Sequence, residues 1–228
     1  MQASEARREL FYELLSGASG IALALFMWGH MVLVGSILTG ERGFDWLAGL
    51  LEDYYIAQPT VVIILLIFLL HAALASRKIP SQLADRRRLR ELGQHLPHEE
   101  SLLWIWQVRT GMLILVLGSF HLILLGVDVL TPLFGERAGI EAASSVARVR
   151  GGLWMLYAVL LIAVEFHASV GLYRLAIKWG AGLALSRRVL RNVERILLWF
   201  FLGLGVVVLL VLAGLIPPPL GFLLPEAR

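Results

Sequence analysis

The sequence predicts an all-α membrane protein in which five transmembrane helices form one bundle. Hydrophobic residues make up 58% of the 228 residues, charged residues make up 16%, and the mean hydropathy is +0.78. That composition is too apolar for a water-soluble domain of this size. Five runs with few charges also approach the ~20 residues needed to cross the hydrocarbon core of a bilayer. We therefore expect residues 1–228 to form a single polytopic domain.

The spans are expected, in chain order, at about residues 16–39, 59–76, 103–125, 152–177 and 196–216. The second is the shortest: after Thr60 it contains no polar residue until His71, and it stops at Arg77. Three consecutive prolines, residues 217–219, lack amide donors and are expected to end the last helix.

Basic residues are distributed unevenly among the loops. The loop after the first span contains only Arg42, whereas the loops after spans two and four are rich in basic residues. These are Arg77, Lys78, Arg86, Arg87, Arg88 and Arg90 in the second loop, and Lys178, Arg187, Arg188, Arg191 and Arg195 in the fourth. The positive-inside rule therefore predicts a cytoplasmic N-terminus and a C-terminus on the opposite side. Arg137, Arg148 and Arg150 in the third loop weaken the contrast without reversing it.

Two linkers are expected to be helical. Residues 44–55 mix apolar and acidic side chains, which predicts a helix along the outer interface, and residues 81–92 are expected to form a short basic helix in the cytoplasm. The charged opening residues lead into the first span without a cleavage pattern, so we expect an ordinary cytosolic start.

The chain contains no cysteine. This excludes disulfides, thiolate-bound zinc, iron–sulfur clusters held by this chain and covalent attachment of a c-type haem. Histidine remains as the main candidate ligand type for a metal.

Each of the first four spans contains one histidine. An ionisable side chain within an apolar span is by default a candidate for a functional site. These residues are His30, His71, His121 and His167. Two further histidines, His95 and His98, lie in a polar loop and are expected to be solvated.

Two of these histidines are expected at the same depth near the cytoplasmic edge. His71 lies six residues before Arg77, and His167 lies seven residues before Arg174. At ~1.5 Å per residue, both imidazoles are roughly 10 Å from that edge.

The other two are expected at a deeper level. His30 lies fourteen residues after Ser16, and His121 lies twelve residues after Arg109, which places both roughly 18–21 Å from the same edge. Two imidazoles from different helices at matching depth can bind one metal axially. Two such pairs, one above the other, would make a path for electrons.

Haem is the metal group that this pattern favours. Iron held by two imidazoles is six-coordinate and suited to electron transfer, and a flat macrocycle between helices needs small residues nearby. The spans supply Gly20, Gly29, Gly35, Gly111, Gly118 and Gly171. Two alternatives stay open: glycines that serve helix packing alone, and membrane histidines that only satisfy hydrogen bonds.

Three segments resemble the di-haem cytochrome b membrane subunit of quinol:fumarate reductases, the five-helix type with a single anchor subunit. The segments are Leu25-Phe26-Met27-Trp28-Gly29-His30-Met31, Gly118-Ser119-Phe120-His121-Leu122 and, most specifically, residues 164–180 with the core Glu165-Phe166-His167-Ala168-Ser169-Val170-Gly171-Leu172-Tyr173-Arg174. The resemblance covers roughly residues 16–180 and omits the fifth span and the tail.

The resemblance implies ligands for two b-type haems. His71 and His167 would bind the haem near the cytoplasm, and His30 and His121 the distal haem. Trp104 and Lys178 match positions that hold propionates of the first haem, and the family's polar propionate contact is partly kept as Ser16, with Ser19 as a substitute. A lysine that reaches to the interface is the alternative for Lys178.

The resemblance also implies roles for two carboxylates. Glu52 matches the glutamate that accepts protons from menaquinol near the distal haem, with Asp53 or a solvated loop acid as alternatives. Glu165 matches a residue of a transmembrane proton pathway; burial favours its neutral form, and a hydrogen bond to a neighbouring helix is the alternative.

The implied function is the membrane anchor of a menaquinol:fumarate reductase in the bacterial cytoplasmic membrane, with a periplasmic C-terminus. Electrons from menaquinol would pass through both haems to an iron–sulfur subunit, and a flavoprotein subunit would reduce fumarate. A dimer of heterotrimers, and no nucleic-acid partner, is expected. The alternatives are a succinate:quinone dehydrogenase anchor, a di-haem anchor of another respiratory oxidoreductase, and a non-redox transporter or structural anchor.

Overall fold

The computed structural model describes residues 2–77, 99–130 and 140–224. The described residues form helices and connecting turns, with no β-strand, which confirms the all-α fold class. The main helices are α1 (Gln2–Gly35), α2 (Glu41–Asp53), α3 (Ala57–Ser76), α4 (Glu99–Leu130), α5 (Ala142–Arg148), α6 (Trp154–Lys178) and α7 (Arg187–Leu212).

Five helical segments are long and apolar enough to cross a membrane, as the sequence predicted. They are Ser4–Thr39, Ala57–Ser76, Ser101–Leu130, Ala142–Lys178 and Arg187–Leu212. The helix expected at residues 44–55 is present as α2, with Phe44 and Ala48 buried. The predicted basic helix at 81–92, the loop histidines His95 and His98, and Arg137 lie outside the described residues.

Helix α1 begins well before the expected start of the first span. Its 34 residues would extend about 51 Å, whereas the hydrocarbon core is ~30 Å thick. The opening charges do not interrupt the helix because none of its first residues is Gly or Pro. The first turns of α1 therefore extend beyond the apolar span.

The fourth span starts with a break in the helix. Between α5 and α6 lies a π-helical segment, Val149–Leu153, in which Gly152 adopts φ +113°. Only glycine takes this backbone conformation readily. Regular helix therefore begins at Trp154, two residues after the expected boundary.

Helix α7 differs from the expected fifth span, 196–216, at both ends. The basic residues from Arg187 onward form the start of α7, so they do not belong to a loop. At the other end, Gly214 adopts φ +75°, its N–H donates to the carbonyl of Val211, and the N–H of Leu215 donates to the carbonyl of Leu210. This glycine cap ends the helix at Leu212, before the prolines are reached.

The spanning helices are antiparallel neighbours. Helix α6 packs against α4 and α7, while α1 packs against α3 and α3 also packs against α4. Helices α1, α3, α4 and α6, which carry the four histidines, thus surround a common interior.

The end of the bundle that holds α2 and α5 is closed by contacts between elements. The carboxylate of Asp45 accepts a hydrogen bond from the N–H of Ala142, which caps the first turn of α5. The N–H of Leu220 in the tail donates to the carbonyl of Leu38. An apolar cluster that includes Ile37, Phe44 and Val149 fills the space beneath.

Candidate functional site

A cavity of about 1090 Å³ lies within the bundle, and helices α1, α3, α4 and α6 line most of it. This volume reaches the upper end of the range for small-molecule sites, ~300–1000 Å³. All four intramembrane histidines line it: His30, His71, His121 and His167.

We name His71 and His167 the inner pair. Their ring centroids are 6.4 Å apart, and the ring planes are perpendicular at 89°. Two imidazoles on opposite sides of one metal, each bonded at ~2 Å, place their centroids roughly 6 Å apart. The separation of the inner pair fits a shared metal.

We name His30 and His121 the outer pair. Their ring centroids are 6.1 Å apart with an interplanar angle of 64°. The structure therefore brings together the same two pairs that helix depth predicted, each from two different helices. Their role as ligands stays a prediction.

Hydrogen bonds at Nδ1 hold both imidazoles of the inner pair. His167 Nδ1 lies 2.9 Å from the carbonyl oxygen of Gln107, which can only accept, so Nδ1 donates and Nε2 is left with its lone pair free of a proton. His71 Nδ1 lies 3.1 Å from Ser19 Oγ, and that hydroxyl itself donates to the carbonyl of Ser16. Such second hydrogen bonds fix the tautomer and ring orientation of metal-binding histidines.

The outer pair has a different environment. Among the described residues, the buried His121 Nδ1 has no hydrogen-bond partner. The ring of Tyr157 lies edge-on to His121, with 5.6 Å between centroids and an angle of 89°. Phe26 stacks on His30 at 5.9 Å. Aromatic packing thus positions the imidazoles of the outer pair, whereas hydrogen bonds position those of the inner pair.

Two of the predicted glycines lie directly against the inner pair. A Cβ added at Gly20 would lie 3.1 Å from His71 Cε1, and one at Gly111 would lie 2.9 Å from His167 Cε1. Gly171 faces the side-chain amide of Gln107, whereas an added Cβ at Gly29 would meet no described atom within 4 Å. The glycines at the inner pair therefore make room for the imidazoles themselves.

The predicted propionate contacts lie around the same cavity. Ser16, Trp104 and Lys178 all line it. The ammonium group of Lys178 forms an ion pair with the carboxylate of Glu13, which also lines the cavity. Sequence reasoning missed Glu13, because an acid near the start of a helix looks like an ordinary solvated residue.

A second ion pair that the sequence did not indicate lies beside the outer pair. Arg148 Nη1 contacts the Asp128 carboxylate at 2.5 Å, and the Arg148 side chain is only 15% exposed. Arg148 and Tyr157 both line the cavity. The assignment of Arg148 to a basic loop was therefore wrong, since the residue lies in α5 and turns inward. The sequence signal that could have indicated this ion pair is Asp128, an acidic residue near the end of an apolar run.

Glu165 is buried, with 3% of its surface exposed, and lines the cavity. Within the described part of the chain, its carboxyl group forms no hydrogen bond or ion pair. The alternative for Glu165, a hydrogen bond to a neighbouring helix, would need a partner residue, and the described part of the chain provides none.

Glu52 lies at the end of α2 and outside the cavity lining, whereas its neighbour Leu51 does line the cavity. Its Oε1 is buried and has no hydrogen-bond partner among the described residues. Burial raises the pKa of Glu52, and the negative charges of Glu141 and Asp53 raise it further. Asp53, the alternative proton acceptor, is exposed.

The described residues contain no cluster of three or more His, Asp or Glu that could hold a metal ion by themselves. A metal at either pair would need its other ligands from a group that it brings with it. A porphyrin supplies four nitrogen ligands and leaves the two axial positions that two imidazoles occupy. The donor set therefore fits haem.

Comparisons with known proteins identify the family of this chain. The family described as "Succinate dehydrogenase/Fumarate reductase transmembrane subunit" matches residues 82–213. The fumarate reductase cytochrome b subunit of Helicobacter pylori is 36% identical over 201 residues, which cover 85% of this chain and 76% of the relative. The subunit of the same name from Wolinella succinogenes is 37% identical over 171 residues, covering 72% and 64%. The chain therefore belongs to the family of succinate dehydrogenase/fumarate reductase transmembrane subunits.

Proposed function

We propose that this chain is the cytochrome b membrane anchor of a menaquinol:fumarate reductase. It would oxidise menaquinol near the outer pair and pass electrons along the bundle to an iron–sulfur subunit. The observation that supports the proposal most strongly is that two imidazole pairs line one cavity. The ring centroids are 6.4 Å apart in the inner pair and 6.1 Å apart in the outer pair. Two similar proteins are named as cytochrome b subunits of fumarate reductase, which supports the proposal of a fumarate reductase complex.

Each histidine pair would hold one b-type haem. A haem with two axial imidazoles transfers single electrons and has no open position for a ligand. Gln107 and Ser19 hold the inner imidazoles in the tautomer that presents Nε2. Lys178 and Trp104, which line the cavity, would contact the propionates of the inner haem. Arg148 would supply a cation at the outer level, where a carboxylate would form a charge-assisted bond.

Glu52 would accept a proton when menaquinol is oxidised. Oxidation of a quinol releases two protons with two electrons, and a base works best when its pKa is near the working pH. The raised pKa of Glu52 and its buried, unpartnered Oε1 among the described residues support this role.

Glu165 would carry protons along the bundle during turnover. It lies two residues, about 3 Å, from His167 toward the outer pair and borders the same cavity. A buried carboxyl group without a bonded partner in the described chain can exchange a proton without first breaking an ion pair.

The soluble partners would bind at the end of the bundle where α1 begins. Arg187 and Arg188 at the start of α7 are exposed there, and basic residues suit a cytoplasmic face. An iron–sulfur subunit would receive the electrons, and a flavoprotein subunit would reduce fumarate. Two such heterotrimers would pair in the membrane, with the C-terminus of this chain in the periplasm.

Haem content tests the proposal most directly. The purified chain should contain two haems per polypeptide and show a b-type α band after reduction with dithionite. His71→Ala and His121→Ala should each remove one haem and leave the other. A purified, folded chain without an α band would contradict the electron-transfer function. Copurified subunits that oxidise succinate with quinone, and do not reduce fumarate with menaquinol, would favour the succinate dehydrogenase alternative.

A further inference from the structure

The ion pair between Glu13 and Lys178 is placed at the inner end of the cavity. Glu13 belongs to α1 and Lys178 to the last turn of α6, so the pair joins two helices that are distant in sequence. Both side chains line the cavity, beyond the inner pair and toward the N-terminus of α1. The pair therefore faces the space that the inner haem would occupy.

A second ion pair lies one helical turn away and provides a comparison. Glu9 on α1 binds Arg77 at 2.8 Å, and Arg77 also covers the ring of Tyr12, with 3.9 Å from Cζ to the ring centroid. Neither Glu9 nor Arg77 is among the described residues that line the cavity. The two ion pairs are thus similar in composition, but Glu13 and Lys178 face the cavity whereas Glu9 and Arg77 do not.

The described residues place few charged side chains at the inner end of the cavity. Among the described lining residues beyond the inner pair, Glu13 is negative, and Lys178 and Arg174 are positive. A haem would add two propionates, so three carboxylates would share the two cations that the described lining residues supply there. Lys178 is then divided between Glu13 and a propionate, which makes Glu13 part of the electrostatic environment of the iron.

We infer that Glu13, acting through Lys178, sets the reduction potential of the inner haem. This inference depends on the proposed function, because it requires a haem at the inner pair. Glu13 is a positioning residue: it keeps part of the Lys178 charge away from the propionates and adds a negative charge of its own. The side chains of Glu13 and Lys178 are 28% and 43% exposed, so water screens their charges in part, and the shift comes from the faces that both turn toward the cavity.

The sign of the effect follows from charge. Reduction adds one electron to the haem, so a nearby anion disfavours the reduced form and a nearby cation favours it. Neutralising Glu13 removes an anion and also releases Lys178 to the propionates. Both changes raise the midpoint potential of the inner haem.

The experiment is a redox titration of the purified complex, followed by the absorbance of the b haems. Glu13→Gln should raise the midpoint of one of the two haem components; a tenfold change in the reduction equilibrium would appear as 59 mV for a one-electron couple. Lys178→Gln should lower the midpoint of the same component. The matched control Glu9→Gln should leave both midpoints unchanged.

Several outcomes separate this inference from the proposed function. A wild-type chain without haem would refute both. Two bound haems with unchanged midpoints in Glu13→Gln, or a shift equal to that of Glu9→Gln, would refute the inference and leave the function standing. If Glu13→Gln fails to fold, Glu13→Asp serves instead, because it retains the charge but shortens the reach to Lys178. A smaller upward shift of the same component is then expected, and no shift would refute the inference.

Discussion

Replacing Gly111 by Ala should selectively weaken binding at the inner pair. The new Cβ would lie 2.9 Å from His167 Cε1, well inside ordinary contact distance of ~3.5–4.0 Å. The ring has little freedom to retreat because its Nδ1 donates to the carbonyl of Gln107 at 2.9 Å. Overpacking of this kind costs ~1–3 kcal/mol, partly offset by the better helix propensity of Ala. Subtracting ~1 kcal/mol for that propensity leaves a net cost of ~0–2 kcal/mol, which weakens haem binding by up to roughly 30-fold.

The assay is haem stoichiometry with a redox titration that resolves the two haems. Gly111→Ala should lose part or all of one haem component while the other keeps its amount and potential. Gly35→Ala is the matched control, since a Cβ added there meets no described atom within 4 Å. Retention of two haems with native spectra in Gly111→Ala would refute the argument that this glycine makes room for the ligand imidazole.

Three further predictions concern individual side chains. Ser19→Ala removes the hydrogen-bond partner of His71 Nδ1 and should lower the affinity for the inner haem by about 10- to 100-fold. The assay is loss of haem on dilution, and unchanged retention would show that this hydrogen bond has no role in haem binding. Glu52→Gln should abolish menaquinol oxidation while fumarate reduction from artificial donors continues, and retained quinol activity would move the role to Asp53. Because the pKa of Glu52 is raised, wild-type quinol oxidation should fall with decreasing pH at a higher pH than an ordinary glutamate would give, as the base becomes protonated. Glu165→Gln should slow turnover coupled across the membrane while both haems remain bound; loss of haem would make Glu165 structural.

Depth along a helix could be predicted from the sequence because the rise per residue is fixed. Charges near the span ends supplied a common reference, and the structure brings together the two histidine pairs that this counting predicted. The partners of Nδ1 could not be predicted in this way. Gln107 contributes a backbone carbonyl, which every residue has, and Ser19 looks like any small residue at a helix interface.

Helix ends and inward-facing charges were harder to predict for physical reasons. Gly214 ends α7 through a left-handed conformation, whereas hydropathy stays high up to residue 216. Arg148 was counted as a loop cation because its partner, Asp128, lies twenty residues earlier on another helix. Hydropathy averages over a window, so it reports neither backbone conformation nor pairing between distant residues.

The π-helical segment between α5 and α6 also decides which way the fourth span faces. Helix α5 is held in place by Asp45 and by Asp128, so it cannot turn freely about its axis. Each residue of a helix turns the chain by about 100°. Deleting Val149, which has helical backbone angles before the break at Gly152, would therefore rotate His167 by about a quarter turn, out of line with His71. The length of this junction, together with the packing of α6 against α4 and α7, thus keeps the two imidazoles opposite each other.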